Sequence, residues 1–413
     1  MPQTKRVVVT GYGALSPLGK NVDDNWNNLL LGKTSIKYLD NSEDMRVRFA
    51  GLVSEDFVPE EHFSKKDLRK LDPCLQYGIY AAREAVAMSK IDEASNKDRV
   101  GVSIGSGIGG LEFIEETAKV AFSQGSKKVS PHFIPSTIIN EISGMVSIEY
   151  GFRGPNISIV TACTTGTHNI GIGARLIACG DADAMIVGGS EHASTLLSMS
   201  GFGNMKALSS RNDNPEQASR PFDKDRDGFV LSNGAAVLVI ESLEHAQARG
   251  ANIICEVTGF GMNGDAFHAT QPDTSGAQAE AVMKLALKDA NLKADALDYV
   301  NAHGTSTPYN DMIESAAISR VFKDHKVAVS STKSMLGHML GATGAIEAIV
   351  CCQAIAKNMI PPTINCFDRD VGQDLNIICH EPVQQTVDHA LSNSFGFGGT
   401  NACLVFSRFN ENS

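Results

Sequence analysis

Short apolar runs alternate with amphipathic segments along the chain, which is the pattern of buried strands followed by helices. Residues 6–10 are mostly β-branched and lead into a glycine turn, and residues 99–104 repeat that arrangement. Between them, residues 64–89 have helical spacing and an alanine-rich apolar face, which predicts one amphipathic helix. Strands that alternate with helices in this way predict an α/β fold.

The segment around Cys163 combines both patterns. Residues 157–160 predict a short buried strand, and the small residues 164–178 predict a helix directly after it. Cys163 then lies where the helix begins, and the N–H groups and partial positive charge of a helix N-terminus stabilise a thiolate and lower the thiol pKa. Cys163 is therefore a candidate nucleophile, although many buried cysteines only fill core space.

The order of predicted elements begins again near residue 252, with no linker-like composition in between. Four segments of the second half correspond in kind and order to segments of the first, namely 252–261 to 6–13, 278–291 to the alanine-rich helix, 299–301 to 99–104, and 327–333 to the Cys163 segment. This repetition predicts two duplicated α/β halves, residues 1–252 and 253–413, packed as one unit.

Composition narrows the class of protein. The 413 residues carry a net charge of -11, and this argues against nucleic-acid binding, which needs a strong basic field. Nine cysteines without a CxxC pair or zinc-like Cys/His spacing indicate a reduced, cytoplasmic protein. We find no signal-peptide pattern and no run of 18 apolar residues, so we expect no membrane insertion.

Two short motifs after residue 99 are weak. Gly105, Gly107 and Gly110 have dinucleotide-binding spacing, but the acidic residue expected about 20 positions later is missing, so an NAD-linked oxidoreductase is a poor alternative. Residues 101–105 fit the G-x-S-x-G pattern of hydrolases, yet Ser103 falls inside the predicted strand rather than at its end.

Duplication would bring loops from the second half to Cys163. The small-residue segments 301–307, 333–338 and 393–399 each follow or connect apolar strands, and the first two contain His303 and His338. A single histidine in such a loop is usually structural. Two histidines converging on a cysteine favour nucleophilic catalysis with groups that handle protons.

Over essentially its whole length the chain resembles the β-ketoacyl-acyl carrier protein synthases, most closely the type II condensing enzymes of dissociated bacterial fatty acid synthesis. The resemblance rests on residues 160–163, 220–222 with 226–229, 301–308 with Asp311 and Glu314, 331–334 with 337–338, 341–344 and 395–401. It implies a thiolase-like fold of duplicated αβαβα halves in five layers, an acyltransferase activity and no cofactor.

The resemblance also implies roles for individual residues. Cys163 would take the acyl chain from the carrier protein as a thioester, and its N–H with that of Phe397 would form the oxyanion hole. His303 and His338 would hold the malonyl thioester, assist loss of CO₂ and stabilise the enolate. Lys333 would pair with Glu314. Histidine rather than asparagine at 338 implies elongation of acyl-carrier-protein primers, and Cys403 in a strand argues against a thiolase.

Further expectations concern ligands and partners. The resemblance implies an acyl carrier protein as partner and a homodimer as the assembly. Acyl-chain and substrate contacts are expected from Ile108, Phe133, Phe202, Thr305, Thr307 and Phe395, although Phe133 fits ordinary core packing equally well. A structural monovalent cation is implied at Asn301, Glu347, Ser392 and Asn393. Basic residues for docking the carrier protein, which fit a solvated helix face equally well, are Lys65, Lys66, Arg69, Lys70, Lys127, Lys128 and Lys206.

Two departures from the family pattern leave alternatives open. Thr164 replaces the usual alanine beside the nucleophile, and residues 231–235 read Leu-Ser-Asn-Gly-Ala where a Gly-Glu-Gly-Ala run is usual. Both departures leave open that the chain is a specialised paralogue, either a type I-like enzyme or a polyketide ketosynthase. A non-catalytic partner resembling a chain-length factor is the other alternative, and the intact Cys163, His303 and His338 speak against it.

Overall fold

The computed structural model describes residues 5–40, 42–323 and 325–411. Its strands are β1 (Val7–Leu15), β2 (Ile36–Tyr38), β3 (Phe49–Gly51), β4 (Val100–Gly105), β5 (Asn156–Ile157), β6 (Ala184–Glu191), β7 (Gly234–Ser242), β8 (Cys255–Gly264), β9 (Tyr299–Asn301), β10 (Ala328–Ser330), β11 (Met359–Ile360), β12 (Asn376–Ile377), β13 (Val383–Gln384), β14 (His389–Gly396) and β15 (Thr400–Ser407). Its α-helices are α1 (Val22–Leu30), α2 (Pro59–His62), α3 (Lys65–Leu68), α4 (Pro73–Ser89), α5 (Leu111–Gln124), α6 (Phe133–Thr137), α7 (Glu141–Tyr150), α8 (Thr165–Ala178), α9 (Leu196–Asn204), α10 (Leu243–Ala248), α11 (Ala277–Asp289), α12 (Pro308–Phe322), α13 (Lys333–Leu336) and α14 (Thr343–Lys357).

One strand order is used twice in the main sheet. Its eleven strands run β12-β10-β9-β14-β15-β8-β1-β7-β6-β4-β5, with β1 and β8 antiparallel at the centre. Outward from β1, the strands β7, β6, β4 and β5 show two antiparallel and then two parallel pairings. Outward from β8, the strands β15, β14, β9 and β10 show the same series. The repetition predicted from the sequence is therefore present in the topology.

Side chains that alternate along the strands divide the core into two kinds of interface. On β7, Ala236, Leu238 and Ile240 join a central cluster with α8 and α14. Their neighbours Ala235, Val237 and Val239 join an outer cluster with α4 and α7. In the second half, α11 and α12 cover the outer face in the same way. The layers are thus helices, sheet, α8 with α14, sheet and helices, which is the predicted five-layer α/β arrangement.

Small residues allow α8 and α14 to cross closely in the central layer. A methyl group on Gly344 would overlap the hydroxyl of Thr167, and one on Gly166 would come within 2.7 Å of the backbone N of Ala345. Because glycine has no such methyl group, the two helix backbones come into contact near their N-termini. Those N-termini follow Cys163 and His338, so this crossing brings one residue from each half together.

Two predicted elements differ from the structure. The helix predicted over 64–89 is interrupted, because Pro73 begins a new helix and the side chain of Asp72 caps it by accepting the N–H of Cys74 at 2.8 Å. The strand predicted at 157–160 is confined to β5, and Val160 is 45% exposed. The backbone of Ile159 instead hydrogen-bonds the side chain of Asn169 through both its N–H and its C=O.

The most apolar helical segment is Leu340–Lys357, which is long and apolar enough to cross a membrane by length and composition. Within the fold, 89% of that segment is buried. It is the core of the central layer, where Ile346, Ile349 and Val350 pack against strands of both halves.

Candidate active site

Cys163 lies in a tight turn directly before α8. Ala162–Thr164 form a single 3₁₀ turn, and Ala162 has a φ of 54°, a left-handed conformation that costs energy for a residue with a side chain. Hydroxyl groups hold this conformation, because Thr161 N–H donates to Thr165 Oγ1 and Thr164 Oγ1 donates to Thr161 O at 2.7 Å. The predicted position of Cys163 at the beginning of the helix is correct.

Residues from both halves line one cavity of about 390 Å³ that reaches Cys163. His303, after β9, and His338, after α13, both border it. Their ring centroids are 5.4 Å apart with an interplanar angle of 85°. The cysteine and the two histidines predicted as catalytic residues therefore face the same space.

The backbone N–H groups of Phe397 and of Cys163 itself lie beside the sulfur of Cys163, and both lower the pKa of its thiol. Phe397 lies in the turn between β14 and β15. Gly398 and Gly399 there have φ values of +84° and +71°, which favour glycine and let the chain reverse. A pair of N–H groups converging beside a nucleophile is the arrangement that stabilises an oxyanion.

Burial governs the protonation of Cys163. Loss of solvation raises the pKa of its thiol to about 11, against the smaller lowering effects of the Phe397 N–H and the charge of Lys333. The lowered thiol pKa expected from a helix N-terminus is therefore wrong for the unliganded chain. The thiol is protonated at neutral pH, and its proton must leave during acyl transfer.

Both histidines are neutral in the same environment. Burial lowers the pKa of His303 and of His338 well below the ordinary value, and the charge of Lys333 lowers both further. The Nδ1 of His338 contacts Thr343 Oγ1 at 2.9 Å. Among the described residues nothing hydrogen-bonds Nδ1 of His303, an unusual state for a buried ring nitrogen. Neutral imidazoles retain an N–H that can donate to a developing oxyanion.

Lys333 does not pair with Glu314 as the resemblance implied. Its ammonium group forms a buried ion pair with Glu347 of α14. Glu314 is occupied elsewhere: its carboxylate accepts the N–H groups of His303 at 2.8 Å and of Gly304 at 2.7 Å. Glu314 thus fixes the loop that carries His303, and Glu347 holds the charge of Lys333 beside the cavity.

The four residues expected to hold a cation share one property. Each has a buried oxygen atom without a hydrogen-bond partner among the described residues, namely Asn301 Oδ1, Glu347 Oε2, Ser392 Oγ and Asn393 Oδ1. Asn301 and Ser392 lie directly opposite each other on β9 and β14. Unpartnered buried oxygens are uncommon, and a hard monovalent cation would satisfy them.

Other predicted contacts divide into two groups. Ile108, Phe202, Thr305, Thr307 and Phe395 line the cavity, as does Lys206 at its edge. Phe133 lies on α6, is half-buried and does not border the cavity, so its predicted contact is absent from the single chain. The remaining docking residues are exposed or half-buried away from the cavity lining: Lys65, Lys66, Arg69, Lys70, Lys127 and Lys128.

Glu191 is a site residue that the sequence did not reveal. This fully buried carboxylate accepts the N–H groups of Gly107 at 2.8 Å, Ile108 at 3.2 Å and Gly341 at 2.9 Å. It therefore fastens the glycine loop of the first half to the segment before α14. The same contacts explain why the G-x-G-x-x-G spacing has no nucleotide role, because a protein carboxylate occupies the N–H groups that a phosphate would need.

The two departures from the family pattern are structurally accommodated. Thr164 Oγ1 contacts Thr400 Oγ1 at 2.9 Å, and Thr400 Oγ1 donates to Thr161 O at 3.0 Å, so the departure ties the nucleophile turn to the start of β15. Asn233 accepts the N–H groups of Ala193 and Ser194 at 2.9 and 3.1 Å. Neither change removes a group that faces the cavity.

Comparisons with known proteins agree with this geometry. The model of the β-ketoacyl synthase N-terminal domain matches residues 4–246, and that of the C-terminal domain matches residues 254–367. The 3-oxoacyl-[acyl-carrier-protein] synthase 2 of Vibrio cholerae is 51% identical over 411 residues, covering 98% of this chain and 99% of that protein. The protein of the same name from Staphylococcus aureus (strain COL) is 47% identical over 414 residues, covering 99% and 100%.

Solved structures show the same likeness. A β-ketoacyl synthase from Burkholderia phymatum has a TM-score of 0.91 at 34% identity and covers 98% of this chain and 100% of that one. A type II polyketide ketosynthase, solved in complex with its acyl carrier protein and bound to the hexaketide, has a TM-score of 0.90 at 32% identity, with coverage of 99% and 100%. The predicted thiolase-like fold class is confirmed.

The protonation state of Cys163 makes a testable prediction. Alkylation by iodoacetamide should accelerate roughly tenfold per pH unit between about pH 6 and 9 without a plateau, because only the thiolate reacts and the thiol pKa is raised. Peptide mapping reports each cysteine separately, and exposed Cys179 serves as an internal control. A rate for Cys163 that levels off below about pH 8 would show that the helix N-terminus outweighs burial.

Proposed function

The chain belongs to the β-ketoacyl synthase family, and from that premise we propose that it condenses malonyl-acyl carrier protein with an acyl-acyl carrier protein primer. The products are 3-oxoacyl-acyl carrier protein and CO₂, which makes the protein an acyltransferase of fatty acid chain elongation. The observation that carries the proposal is the cavity shared by Cys163, His303 and His338, with two N–H groups beside the sulfur.

In the first half-reaction the sulfur of Cys163 attacks the carbonyl carbon of the acyl thioester. The carbonyl oxygen becomes an oxyanion, and the N–H groups of Cys163 and Phe397 donate to it. When this intermediate collapses, the bond to the carrier thiol breaks and that sulfur leaves with the proton lost from Cys163. Before the attack, the raised pKa of Cys163 keeps its thiol protonated at neutral pH.

In the second half-reaction the malonyl carboxylate leaves as CO₂. The electron pair of the broken C–C bond forms an enolate whose oxygen accepts hydrogen bonds from His303 and His338, which are neutral donors. The enolate carbon then attacks the acyl carbonyl on Cys163, and the C–S bond breaks. The sulfur of Cys163 leaves as a thiolate and takes up one proton from solvent, which restores the thiol. Loss of CO₂ generates the carbanion, so no strong base is required.

The alternatives from the sequence are less well supported. The relatives at 47–51% identity are named 3-oxoacyl-[acyl-carrier-protein] synthase 2, whereas a polyketide ketosynthase is 32% identical. A non-catalytic chain-length-factor role does not need a nucleophile, and here the nucleophile, both histidines and the N–H pair are all present. Fatty acid elongation is therefore favoured over both.

We propose a homodimer formed along the β5 edge of the sheet. β5 is the last strand on that side, α7 packs against it, and α6 contacts both α7 and α5. These helices expose the apolar side chains of Phe122 (92%), Ile148 (77%) and Ile134 (58%), and exposed apolar residues next to an open strand edge favour self-association.

Sedimentation velocity tests the proposed dimer. Ile148→Asp should shift the dimer toward monomer, and a wild-type chain that is monomeric would contradict the proposal.

The four unpartnered oxygens support a structural monovalent cation. Asn301, Ser392 and Asn393 would supply neutral oxygens and Glu347 one carboxylate oxygen, and the ion would compensate buried negative charge. Thermal unfolding in potassium chloride and in choline chloride at equal ionic strength checks this. A higher unfolding temperature in potassium is expected, and equal temperatures would contradict the site.

We propose a cytoplasmic location, which the free thiols support, since every one of the nine cysteines is unpaired. Cell fractionation tests it, and recovery of the protein outside the cytoplasmic fraction would contradict it.

We also propose that the two halves meet at residue 252, giving units 1–252 and 253–413. This boundary lies between the two family models, since the first ends at residue 246 and the second begins at residue 254.

The catalytic assignment predicts a separation of activities. Cys163→Ala should lose condensation by at least about a thousandfold, because no thioester can form, while it still releases CO₂ from malonyl-acyl carrier protein. His303→Ala is the matched variant: it should lose CO₂ release but still accept an acyl group on Cys163. Product formation and CO₂ are measured in parallel. Near-normal condensation by Cys163→Ala would disprove the covalent route.

Docking of the carrier protein is expected to involve Lys206, the basic residue at the cavity edge. Lys206→Glu should raise the KM for acyl-acyl carrier protein about two- to fivefold at low salt and leave kcat unchanged, since a rim charge acts on encounter. Lys293→Glu, an equal charge change at an exposed residue away from the cavity, is the control.

The same variant should treat acyl-pantetheine, which lacks the carrier protein, like the wild type. An equal rise in KM for acyl-pantetheine would assign Lys206 to the substrate channel instead of the docking surface.

A further inference from the structure

Two cysteines outside the cavity, with no part in the condensation, lie in contact with each other. The thiols of Cys366 and Cys379 are close enough to affect each other's pKa, and Cys379 packs against the outer cluster of the second half, to which Cys366 belongs. The ring Nε2 of His380, the residue after Cys379, contacts the carbonyl oxygen of Cys366 at 3.0 Å. Cys379 pairs with Thr363 through an isolated parallel bridge, which places it beside the segment that reaches Cys366 three residues later. Twelve residues separate the two cysteines along the chain, so a bond between them would close a short loop.

The surrounding structure holds both cysteines in place. Asn365 Nδ2 donates to the carbonyls of Glu216 and Ser219, each at 3.0 Å, and fixes the segment before Cys366. On the other side, His380 N–H donates to Thr363 O at 3.0 Å and fixes the residue after Cys379. The thiols are thus adjacent because anchored backbone segments place them there.

The two thiols differ in accessibility and acidity. Cys379 is half-buried, whereas Cys366 is only 4% exposed. The neighbouring Cys366 thiol and the Arg369 guanidinium lower the pKa of Cys379 to about 7, and the interaction with Cys379 raises the pKa of Cys366. An accessible thiolate with a second thiol directly behind it is the arrangement of an attacking and a resolving cysteine.

We propose that Cys366 and Cys379 form a reversible dithiol–disulfide site that exchanges with low-molecular-weight disulfides of the glutathione type. Cys379 attacks one sulfur of the small disulfide, forms a mixed disulfide and releases one thiol. The sulfur of Cys366 then attacks the sulfur of Cys379, which closes the internal bond and releases the second thiol. The small disulfide is reduced to two thiols, the protein dithiol is oxidised, and its two protons end on the released thiols.

A second pair of neighbouring cysteines differs from Cys366 and Cys379 in its access to solvent. Cys255 on β8 and Cys352 on α14 are also neighbours, and Cys255 raises the pKa of Cys352, but both are fully buried in the central layer. A reagent cannot reach their sulfurs without opening the fold, so that pair is inert to small disulfides. Among the cysteines that the structure describes, Cys366 and Cys379 are the pair whose thiols are adjacent and open to a reagent.

The site lies away from the proposed dimer face and close to the active-site scaffold. It adjoins β12, which is the edge strand opposite to β5. The segment that carries Cys366 is also linked to the start of α13, because Ile364 N–H donates to Ser334 Oγ at 3.0 Å and Ser331 N–H donates to Thr363 Oγ1 at 2.9 Å. A disulfide between Cys366 and Cys379 would therefore constrain a segment that is hydrogen-bonded to the residues on either side of Lys333.

The test equilibrates the full-length protein in buffers of graded glutathione to glutathione disulfide ratio, followed by acid quenching, alkylation and peptide mapping. We expect a Cys366–Cys379 cross-linked peptide two hydrogens lighter than the reduced pair, with the same oxidised fraction reached from reduced and from oxidised protein. Cys255 and Cys352 should remain alkylatable throughout. Exposed Cys179, which forms only a mixed disulfide, reports that the oxidant is active.

Two variants separate the steps. Cys366→Ser should accumulate glutathione on Cys379, because the resolving thiol is missing, and Cys379→Ser should leave Cys366 unmodified. The proposal is overturned if wild-type Cys366 and Cys379 stay reduced in buffers that modify Cys179, or if Cys366→Ser leaves Cys379 free. These measurements do not depend on condensation activity, so their outcome is independent of the proposed function.

Discussion

The close crossing of α8 and α14 is the constraint on which the site depends. Each helix follows a catalytic segment, and the glycines at 166 and 344 let their N-terminal turns touch. A bulkier residue at either position would separate the halves at the point where Cys163 and His338 must face one cavity. The surrounding contacts reinforce this closeness, since Glu191 of the first half accepts the N–H of Gly341 directly before α14. Duplication thus supplies two similar halves, and the absence of side chains at Gly166 and Gly344 lets these halves pack closely together.

Burial at that junction sets the chemistry. Cys163, His303 and His338 are buried, so all three favour their uncharged forms, and the charge of buried Lys333 acts on each of them. Neutral imidazoles are suited to donating hydrogen bonds to an enolate oxygen, and a protonated thiol is protected until an acyl group arrives. One buried environment therefore serves both half-reactions. The charge of Lys333 is balanced by Glu347, so it does not need a charged group of the substrate as its partner.

The sequence predicted the parts of this account that depend on local pattern. Alternating strands, the small residues after Cys163 and the repeated element order led to the fold class and to the convergence of Cys163 with two histidine loops. The sequence failed where the result depends on competition between distant groups. The pKa of Cys163 reflects desolvation by the whole cavity, and the partner of Lys333 depends on Glu314 already being occupied by backbone N–H groups. Glu191 gave no signal, because a single carboxylate at the end of a strand becomes informative only when the loops it joins are seen together.

The most direct test of the account is to follow the acyl group itself. Purified protein is incubated with acyl-acyl carrier protein in the absence of malonyl-acyl carrier protein, and its intact mass and peptides are measured before and after the extender is added. The account predicts one acyl group per chain, attached at Cys163, which disappears as 3-oxoacyl-acyl carrier protein forms. No adduct, or an adduct on another residue that persists after the extender is added, would contradict it.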